Sequence, residues 1–219
     1  MTSSRKRVVV FISGGGSNML ALVRACAAPD FPAEIVGVIS DKADAGGIAR
    51  AEALGIATFT FVRKDFDSKE AHEAAIFAAL DTLAPDILCL AGYMRLLTAT
   101  FINRYEGRMI NIHPSLLPLF AGLHTHQRAI DAGVRVAGCT VHFVTEGMDE
   151  GPIIAQAAVP VLPGDSADTL AARVLTVEHK TYPLALKLLA EGKVSMRDGR
   201  AVFTGPVASD ETGTLVSIG

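Results

Sequence analysis

Short runs rich in β-branched residues alternate with segments of helical character through the first half of this sequence. Such alternation favours a mostly parallel sheet, because two neighbouring parallel strands must be joined by a crossover that is usually a helix. We therefore expect an α/β fold in which an open, mostly parallel sheet carries helices on both faces. The predicted strands are Arg7–Ile12, Glu34–Ile39, Ile56–Phe61 and Asp86–Ala91, and the helices between them are Asn18–Ala27, Ala43–Leu54 and Lys69–Leu83.

The second half of the chain continues with further strands and one long helix. Its predicted strands are Arg108–Ile112, Gly138–Val144 and Ile153–Val161. The long helix should be capped by Asp165 or Ser166, and Pro183 should kink or split it because proline removes a backbone donor. The turn-prone pair Asp198 and Gly199 predicts a hairpin over Lys193–Phe203.

Composition is that of an ordinary globular protein. The chain has 219 residues, 50% apolar and 20% charged, which suits one domain over residues 1–205 and a loose tail over 206–219. A formal charge of −3 disfavours a nucleic acid partner, because no basic field attracts a phosphate backbone. The longest apolar run, Ile87–Met94, is too short to span a membrane. The three widely spaced cysteines suggest buried thiols in a cytoplasmic protein.

A glycine-rich loop, Ser13–Asn18, joins the first strand to the first helix. In such a loop, backbone N–H groups and the positive end of the helix dipole face an anion. The loop lacks the ending of a nucleoside triphosphate loop, and Met19 stands where a dinucleotide fingerprint has a small residue. A small monophosphate fits best. Two alternatives stay open from the residues alone: a tight turn without a ligand, and a nicotinamide enzyme in which Asp41 binds a ribose.

Histidines in the middle of the chain raise the question of a metal site. His113, His124, His126 and His142 are four of the six histidines, and His124 and His126 form an HxH pair. Neither an HExxH motif nor a cysteine partner accompanies them. We therefore expect no metal, and we interpret His124, His126 and His142 as hydrogen-bonding loop residues.

Asn111 and His113 form a candidate reaction site at the end of a predicted strand. Residues i and i+2 of a strand point to the same side, and Pro114 favours an extended His113. An amide donor beside an imidazole suits stabilisation of a developing oxyanion, and open α/β sheets bind ligands at the carboxyl ends of their strands. The alternative is a polar strand end without chemistry.

The stretch NIHPSLLP at 111–118, followed by GLHTHQ at 122–127, resembles the signature of the folate-dependent formyltransferases. Other motifs resemble the same family in the same order, so the resemblance covers nearly all of residues 7–205. They are the Ser13–Asn18 loop, the Ala91–Leu96 run, the segments His142–Val144 and Asp149–Pro152, and Arg173–His179. The resemblance implies a Rossmann-like fold of the formyltransferase type, with residues 1–205 as one catalytic domain.

The resemblance also implies an activity and its small-molecule partners. A formyl group would pass from 10-formyltetrahydrofolate, the cosubstrate, to the amine of glycinamide ribonucleotide in purine synthesis. We expect neither a metal cofactor nor a nucleic acid or membrane partner, and we expect a monomer or a homodimer.

Site residues are implied position by position. The catalytic group would be Asn111, His113 and Asp149, and the ribonucleotide would be bound by Gly16, Ser17, Asn18 and Glu178. The folate pocket would be lined by Lys69, Met94, Arg95, Leu96, Leu97, Asn111, Val144, Thr145, Glu146, Gly147, Met148 and Asp149. Two positions depart from the family pattern: Lys69 replaces a frequent arginine, which loses a bidentate fork, and Ala121 replaces a common proline.

These residues suggest a mechanism without a covalent intermediate. Formyl transfer to an amine passes through a tetrahedral intermediate with a negatively charged oxygen, to which Asn111 and His113 would donate. Asp149 would hold His113 as an imidazolium and help to relay the proton. Without the resemblance, Asp149 would be interpreted as a turn residue before Gly151.

Three other functions are weighed against this one. A formyltransferase acting on transfer RNA adds a C-terminal module, whereas only a short segment follows Phe203. A formyltetrahydrofolate hydrolase carries an N-terminal regulatory domain, whereas the first strand here begins near residue 7. A non-catalytic nucleotide-binding regulator would have no reason to combine Asn111, His113 and Asp149.

Overall fold

Ten strands, six α-helices and one 3-10 helix, Arg63–Asp65, form within residues 5–205 and 216–217, which are the residues that the computed structural model describes. The chain divides into two units, Met1–Ile110 and Asn111–Gly219. The predicted tail over 206–219 lies outside the described residues, apart from the short strand Val216–Ser217. The prediction that residues 1–205 form one domain stays a prediction.

Parallel strands form the framework of the first unit. Its strands are β1 (Lys6–Ile12), β2 (Ala33–Ser40), β3 (Thr58–Thr60) and β4 (Ile87–Leu90), and its helices are α1 (Ser17–Cys26), α2 (Gly46–Glu52), α3 (Lys69–Leu83) and α4 (Ala99–Arg104). β1 pairs in parallel with β2 and β4, and β2 pairs in parallel with β3. The order β3-β2-β1-β4 therefore changes direction at β1. Open α/β sheets bind ligands outside the carboxyl ends of the strands at such a point.

The apolar sequence of β1 explains its central place in this unit. Val8–Ile12 is completely buried, as expected for a parallel strand covered on both faces. α1 and α2 both pack against β2. α3 has the predicted bounds because Ser68 caps it by accepting a hydrogen bond from the Ala71 N–H, and Ala84 ends it in the left-handed conformation.

The second unit continues from β5 (Met109–His113), which begins in the first unit. Its other elements are α5 (Thr125–Asp131), β6 (Val136–Phe143), β7 (Ile153–Pro160), α6 (Ala167–Ala190), β8 (Val194–Arg197), β9 (Arg200–Phe203) and β10 (Val216–Ser217). β6 and β10 both pair antiparallel to β7, and α6 packs against β6 and β7. The parallel strands with their surrounding helices confirm the predicted α/β fold.

Several local predictions differ from the structure. Pro183 does not split the last helix, because α6 runs unbroken through 24 residues and buries side chains on both sides of the proline. Ser166, not Asp165, is its cap and forms a capping box with Thr169. The short helices α4 and α5 were not predicted. The hairpin over Lys193–Phe203 is confirmed as β8 and β9, joined by Asp198 and Gly199 with positive φ angles.

Across the described residues, no helix combines the length and the apolar character that a membrane span requires.

Candidate active site

The glycine-rich loop leads from β1 into α1 in the first unit. Gly16 directly precedes the helix with φ 72°, a left-handed conformation that glycine adopts without strain. Among the described residues, no side chain caps the start of α1, α2 or α5, whereas Ser68, Thr98 and Ser166 cap α3, α4 and α6. A helix start without a side-chain cap suits an anionic ligand, because its first N–H groups need acceptors.

The start of α2 supports this loop. The Gly47 N–H donates to the Gly14 carbonyl over 3.0 Å. A Cβ atom on Gly47 would lie 2.5 Å from Cδ1 of Ile12 and 3.1 Å from Cα of Gly16. Only glycine therefore lets α2 approach the loop this closely.

A buried carboxylate joins this loop to the segment after β4. The Ser13 hydroxyl donates to Oδ1 of Asp41 over 2.5 Å and accepts from the Met94 N–H over 2.8 Å. Nε of Arg95 lies 3.9 Å from Oδ2 of Asp41. Asp41 is buried and already engaged on both oxygens, so the structure does not support its alternative role as a ribose ligand.

The Met94–Leu97 run lies between β4 and α4. Its apolar side chains are unusually exposed, Met94 by 63% and Leu96 by 70%. Lys69, which the resemblance assigns to the folate pocket together with this run, is the first residue of α3 and is half-buried.

Asn111 and His113 lie on β5 in the second unit, two residues apart as predicted. His113 is buried, and its Nδ1 lies 3.3 Å from Oδ2 of Asp149. Its Nε2 lies 3.1 Å from the Phe120 carbonyl oxygen, to which an Nε2–H can donate. Both ring nitrogens of His113 therefore face oxygen acceptors, and the structure brings His113 and Asp149 together.

His142 joins this group, although it was interpreted as a loop residue. It lies on β6 and is buried. Its Nδ1 donates to its neighbour's carbonyl, that of Phe143, over 2.8 Å, which leaves the Nε2 lone pair to accept from Nδ2 of Asn111 over 3.2 Å. Oδ1 of Asp149 lies 3.8 Å from the same Nε2. Burial lowers the pKa of His142, which favours this neutral ring.

Asp149 lies in the loop between β6 and β7, and the backbone of this loop positions its carboxylate. Asp149 has φ 58°, a left-handed conformation that is uncommon for residues other than glycine. Its Oδ2 also accepts from the Gly122 N–H over 2.9 Å. A Cβ atom on Gly151 would lie 1.7 Å from the Phe143 carbonyl oxygen, so glycine is required where this loop closes.

For the remaining predicted residues, the structure describes no hydrogen bond or ion pair with Asn111, His113, His142 or Asp149. Val144–Met148 follows β6 in the same loop, and Met148 is exposed. Glu178 is buried within α6 of the second unit, whereas Gly16, Ser17 and Asn18 belong to the first unit. His124 precedes α5 with a positive φ, and burial lowers the pKa of the half-buried His126. No cluster of three or more His, Cys, Asp or Glu side chains with metal-binding geometry occurs in the part of the chain that the structure describes.

Comparison with known proteins connects these two groups of residues to a family. Residues 6–186 match the family described as formyl transferase. Phosphoribosylglycinamide formyltransferase from Escherichia coli K12 is 46% identical over 90% of this chain and 93% of its own length. The crystal structure of phosphoribosylglycinamide formyltransferase from Brucella melitensis is 74% identical with TM-score 0.83, covering 85% of this chain and 96% of that one.

A more distant structure has the same fold. A formyltetrahydrofolate deformylase from Pseudomonas syringae is 28% identical with TM-score 0.86, over 93% of this chain and 67% of that chain. The family match covers well over half of the chain and includes Asn111, His113 and Asp149. This chain belongs to the formyl transferase family.

Proposed function

We propose that this protein transfers the formyl group of 10-formyltetrahydrofolate to the amine of glycinamide ribonucleotide, giving formylglycinamide ribonucleotide and tetrahydrofolate. The observation that carries the proposal is the group formed by the buried His113 and His142 with the partly exposed Asn111 and Asp149, in a chain 74% identical to a phosphoribosylglycinamide formyltransferase. The group offers donors for an oxyanion and a carboxylate for a proton, which are the two requirements of acyl transfer to an amine.

Asn111 and His113 are the proposed oxyanion donors. The Asn111 amide has two N–H bonds, and donation to His142 uses only one of them, which leaves the other for the formyl oxygen. His113 donates from Nε2 to the Phe120 carbonyl over 3.1 Å. We expect the developing oxyanion to take over this hydrogen bond, because a charged acceptor binds a donor more strongly than a carbonyl does.

Asp149 is the proposed centre of the proton route. Its Oδ2 lies 3.3 Å from Nδ1 of His113 and accepts from the Gly122 N–H. A carboxylate in this position stabilises a positive charge on the ring while the oxyanion forms. As the amine attacks, its nitrogen becomes positively charged, and the proton that it loses can pass to Asp149 directly or through water. When the bond between the formyl carbon and the folate nitrogen breaks, the same proton can pass on to that nitrogen, which leaves as the N–H of tetrahydrofolate.

Separate sets of residues are proposed to bind the two substrates. Gly16, Ser17 and Asn18 bind the ribonucleotide phosphate at the start of α1, which no side chain caps among the described residues. Glu178 binds the same molecule. Lys69, the Met94–Leu97 run and the Val144–Asp149 loop bind the folate; the exposed Met94 and Leu96 offer it apolar surface.

We further propose a cytoplasmic enzyme that acts as a monomer or a homodimer, with residues 1–205 as its catalytic domain and without a nucleic acid partner. Catalysis on this proposal needs no metal, because Asn111, His113 and Asp149 supply the donors and the proton route. Dialysis against a chelator should therefore leave the rate of transfer unchanged. A rate that the chelator abolishes and zinc restores would contradict this.

The test is a reaction with and without the acceptor. Conversion of 10-formyltetrahydrofolate to tetrahydrofolate is followed by absorbance, and the formylated ribonucleotide is identified by mass spectrometry. We expect consumption of the donor to require glycinamide ribonucleotide. Equally fast consumption without it would assign the activity of the deformylase instead.

A further inference from the structure

The Met94–Leu97 run has neither helical nor strand structure, according to the described backbone, yet it exposes two large apolar side chains. An irregular segment makes few regular backbone hydrogen bonds of its own, so its shape must come from contacts with its surroundings. Hydrogen bonds fix the backbone at both ends of this run. Those at the first end connect it to the buried carboxylate of Asp41, and those just after the last residue connect it to the buried carboxylate of Glu73.

The first end is held through Ser13. The Met94 N–H donates to the Ser13 hydroxyl oxygen over 2.8 Å, and the hydroxyl donates to Oδ1 of Asp41 over 2.5 Å. The direction of these two hydrogen bonds is fixed, because an ionised carboxylate can only accept and the Met94 N–H can only donate. Ser13 is 5% exposed and Asp41 is 7% exposed, so water does not compete effectively for these hydrogen bonds.

The second end is held by α3. The Thr98 N–H donates to Oε1 of Glu73 over 2.8 Å, and the Thr98 hydroxyl donates to Oε2. Thr98 in turn caps α4 by accepting from the Phe101 N–H over 3.2 Å. Glu73 is buried, so water competes weakly for these two hydrogen bonds.

The two carboxylates differ in what else they hold. Ser13 is the first residue of the glycine-rich loop, and its N–H donates to the Gly92 carbonyl over 3.2 Å. Asp41 therefore acts on the glycine-rich loop and on the run together. Glu73 holds Thr98, at the junction of the run and α4, and has no described hydrogen bond to the glycine-rich loop.

We propose that Asp41 and Glu73 are positioning residues: together they hold the Met94–Leu97 run in the shape that binds the folate, and Asp41 also aligns the glycine-rich loop with it. The identity of the ligands rests on the proposed function. Neither carboxylate touches a reacting group in this assignment, so their removal should act on binding rather than on the chemical step.

This difference between the two carboxylates gives a specific kinetic pattern. Asp41→Ala should raise KM for both glycinamide ribonucleotide and 10-formyltetrahydrofolate about tenfold, the usual effect of losing a hydrogen bond to a charged group. Glu73→Ala should raise only the folate KM by a similar factor. In both variants kcat should fall by less than about threefold, because the Asn111, His113 and Asp149 group is unchanged.

Three further variants separate a positioning role from a general loss of stability. Asp41→Asn keeps an acceptor oxygen for Ser13 but loses the charge that faces Arg95, so both KM values should lie closer to those of the wild type than to those of Asp41→Ala. Ser13→Ala removes the hydroxyl between Met94 and Asp41 and should raise both KM values by a smaller factor than Asp41→Ala does. Ile76→Val is the control: it removes one methyl group from the buried face of the helix that carries Glu73, and it should lower Tm without changing either KM.

Calorimetric titration with tetrahydrofolate and with glycinamide ribonucleotide makes the test independent of turnover. Weaker binding of both compounds to Ser13→Ala and Asp41→Ala, and of tetrahydrofolate alone to Glu73→Ala, would support the proposal even if no formyl transfer were found. Variants with unchanged binding and a lowered Tm would overturn it while leaving the proposed function standing. A wild-type protein that binds neither compound would overturn both.

Discussion

The orientation of one amide decides whether Asn111 can serve as an oxyanion donor. Its carbonyl oxygen and its NH₂ group have similar shapes, so a neighbour must distinguish them. His142 does so, because its Nδ1–H is committed to the Phe143 carbonyl and its Nε2 can only accept. His142, interpreted from the sequence as a hydrogen-bonding loop residue, therefore determines which way the Asn111 amide points.

The variant His142→Ala tests this role. We expect kcat to fall about tenfold or more, because a freely turning amide presents its donor only part of the time, and loss of a whole oxyanion donor costs about 10²–10³. His72→Ala is a matched control, since His72 is also buried and donates to a carbonyl, that of Phe61, over 2.8 Å. The control should lower Tm and leave kcat unchanged; an equal loss of kcat in both variants would reduce His142 to a structural residue.

His142 should also make stability depend on pH. Burial lowers the pKa of His142 in the folded protein, so the unfolded chain binds a proton more readily than the folded one. The resulting contribution to stability is present above the ordinary histidine pKa of about 6.5 and is lost as the pH falls through the lower folded value. Thermal unfolding of the wild type and of His142→Gln from pH 8 to pH 5 measures it. The loss of Tm at acid pH should be smaller in the variant, and parallel curves would contradict the assignment.

The close approach of His113 Nδ1 to Asp149 Oδ2, at 3.3 Å, permits a coupled test. His113→Ala and Asp149→Asn should each lower kcat by about 10² or more, and the double variant should be little slower than the slower single variant, because the residues act on one intermediate. Additive losses would show that the two residues act separately. Unfolding curves recorded for all three variants exclude loss of fold as the cause.

At the scale of elements, two adjacent glycines at the start of α2 differ sharply in their surroundings. A Cβ atom on Gly47 would clash with Ile12 and the glycine-rich loop, whereas the nearest atom to one on Gly46 would be Cα of Gly15 at 4.0 Å. Gly47→Ala should therefore displace the loop and raise KM for glycinamide ribonucleotide at least severalfold, and Gly46→Ala should not. Steady-state kinetics of the two variants decides between them; equal values would show that the loop does not bind this substrate.

Elements were predictable where the signal is local. α3 has its predicted bounds because Ser68 and Ala84 mark its ends, and the hairpin forms around Asp198 and Gly199. Pro183 was misleading, since a buried apolar face kept α6 continuous. The contacts of Asp41 and His142 could not be predicted, because each depends on partners from 28 to 31 residues away in the chain.

At the scale of the whole molecule, the predicted residues divide between the two units. The glycine-rich loop and the Met94–Leu97 run belong to Met1–Ile110, and Asn111, His113, Asp149 and Glu178 belong to Asn111–Gly219. Resemblance to a family was needed to predict that both groups serve one reaction. Spacing alone indicated a phosphate loop and a polar strand end, with nothing to connect them.

If one reaction uses both units, the phosphate must contribute to catalysis although it does not react. Binding energy from a remote part of a substrate offsets the cost of orienting the reacting amine, so loss of the phosphate should lower kcat/KM as a whole. We expect the dephosphorylated acceptor, glycinamide riboside, to react at least about 100-fold less efficiently, since several charge-assisted hydrogen bonds at the start of α1 are lost. In Gly47→Ala the ratio of kcat/KM for the phosphorylated acceptor to kcat/KM for the riboside should be smaller, because the displaced loop should bind phosphate less well. A wild-type protein that formylates both acceptors equally well would show that the glycine-rich loop is only a turn.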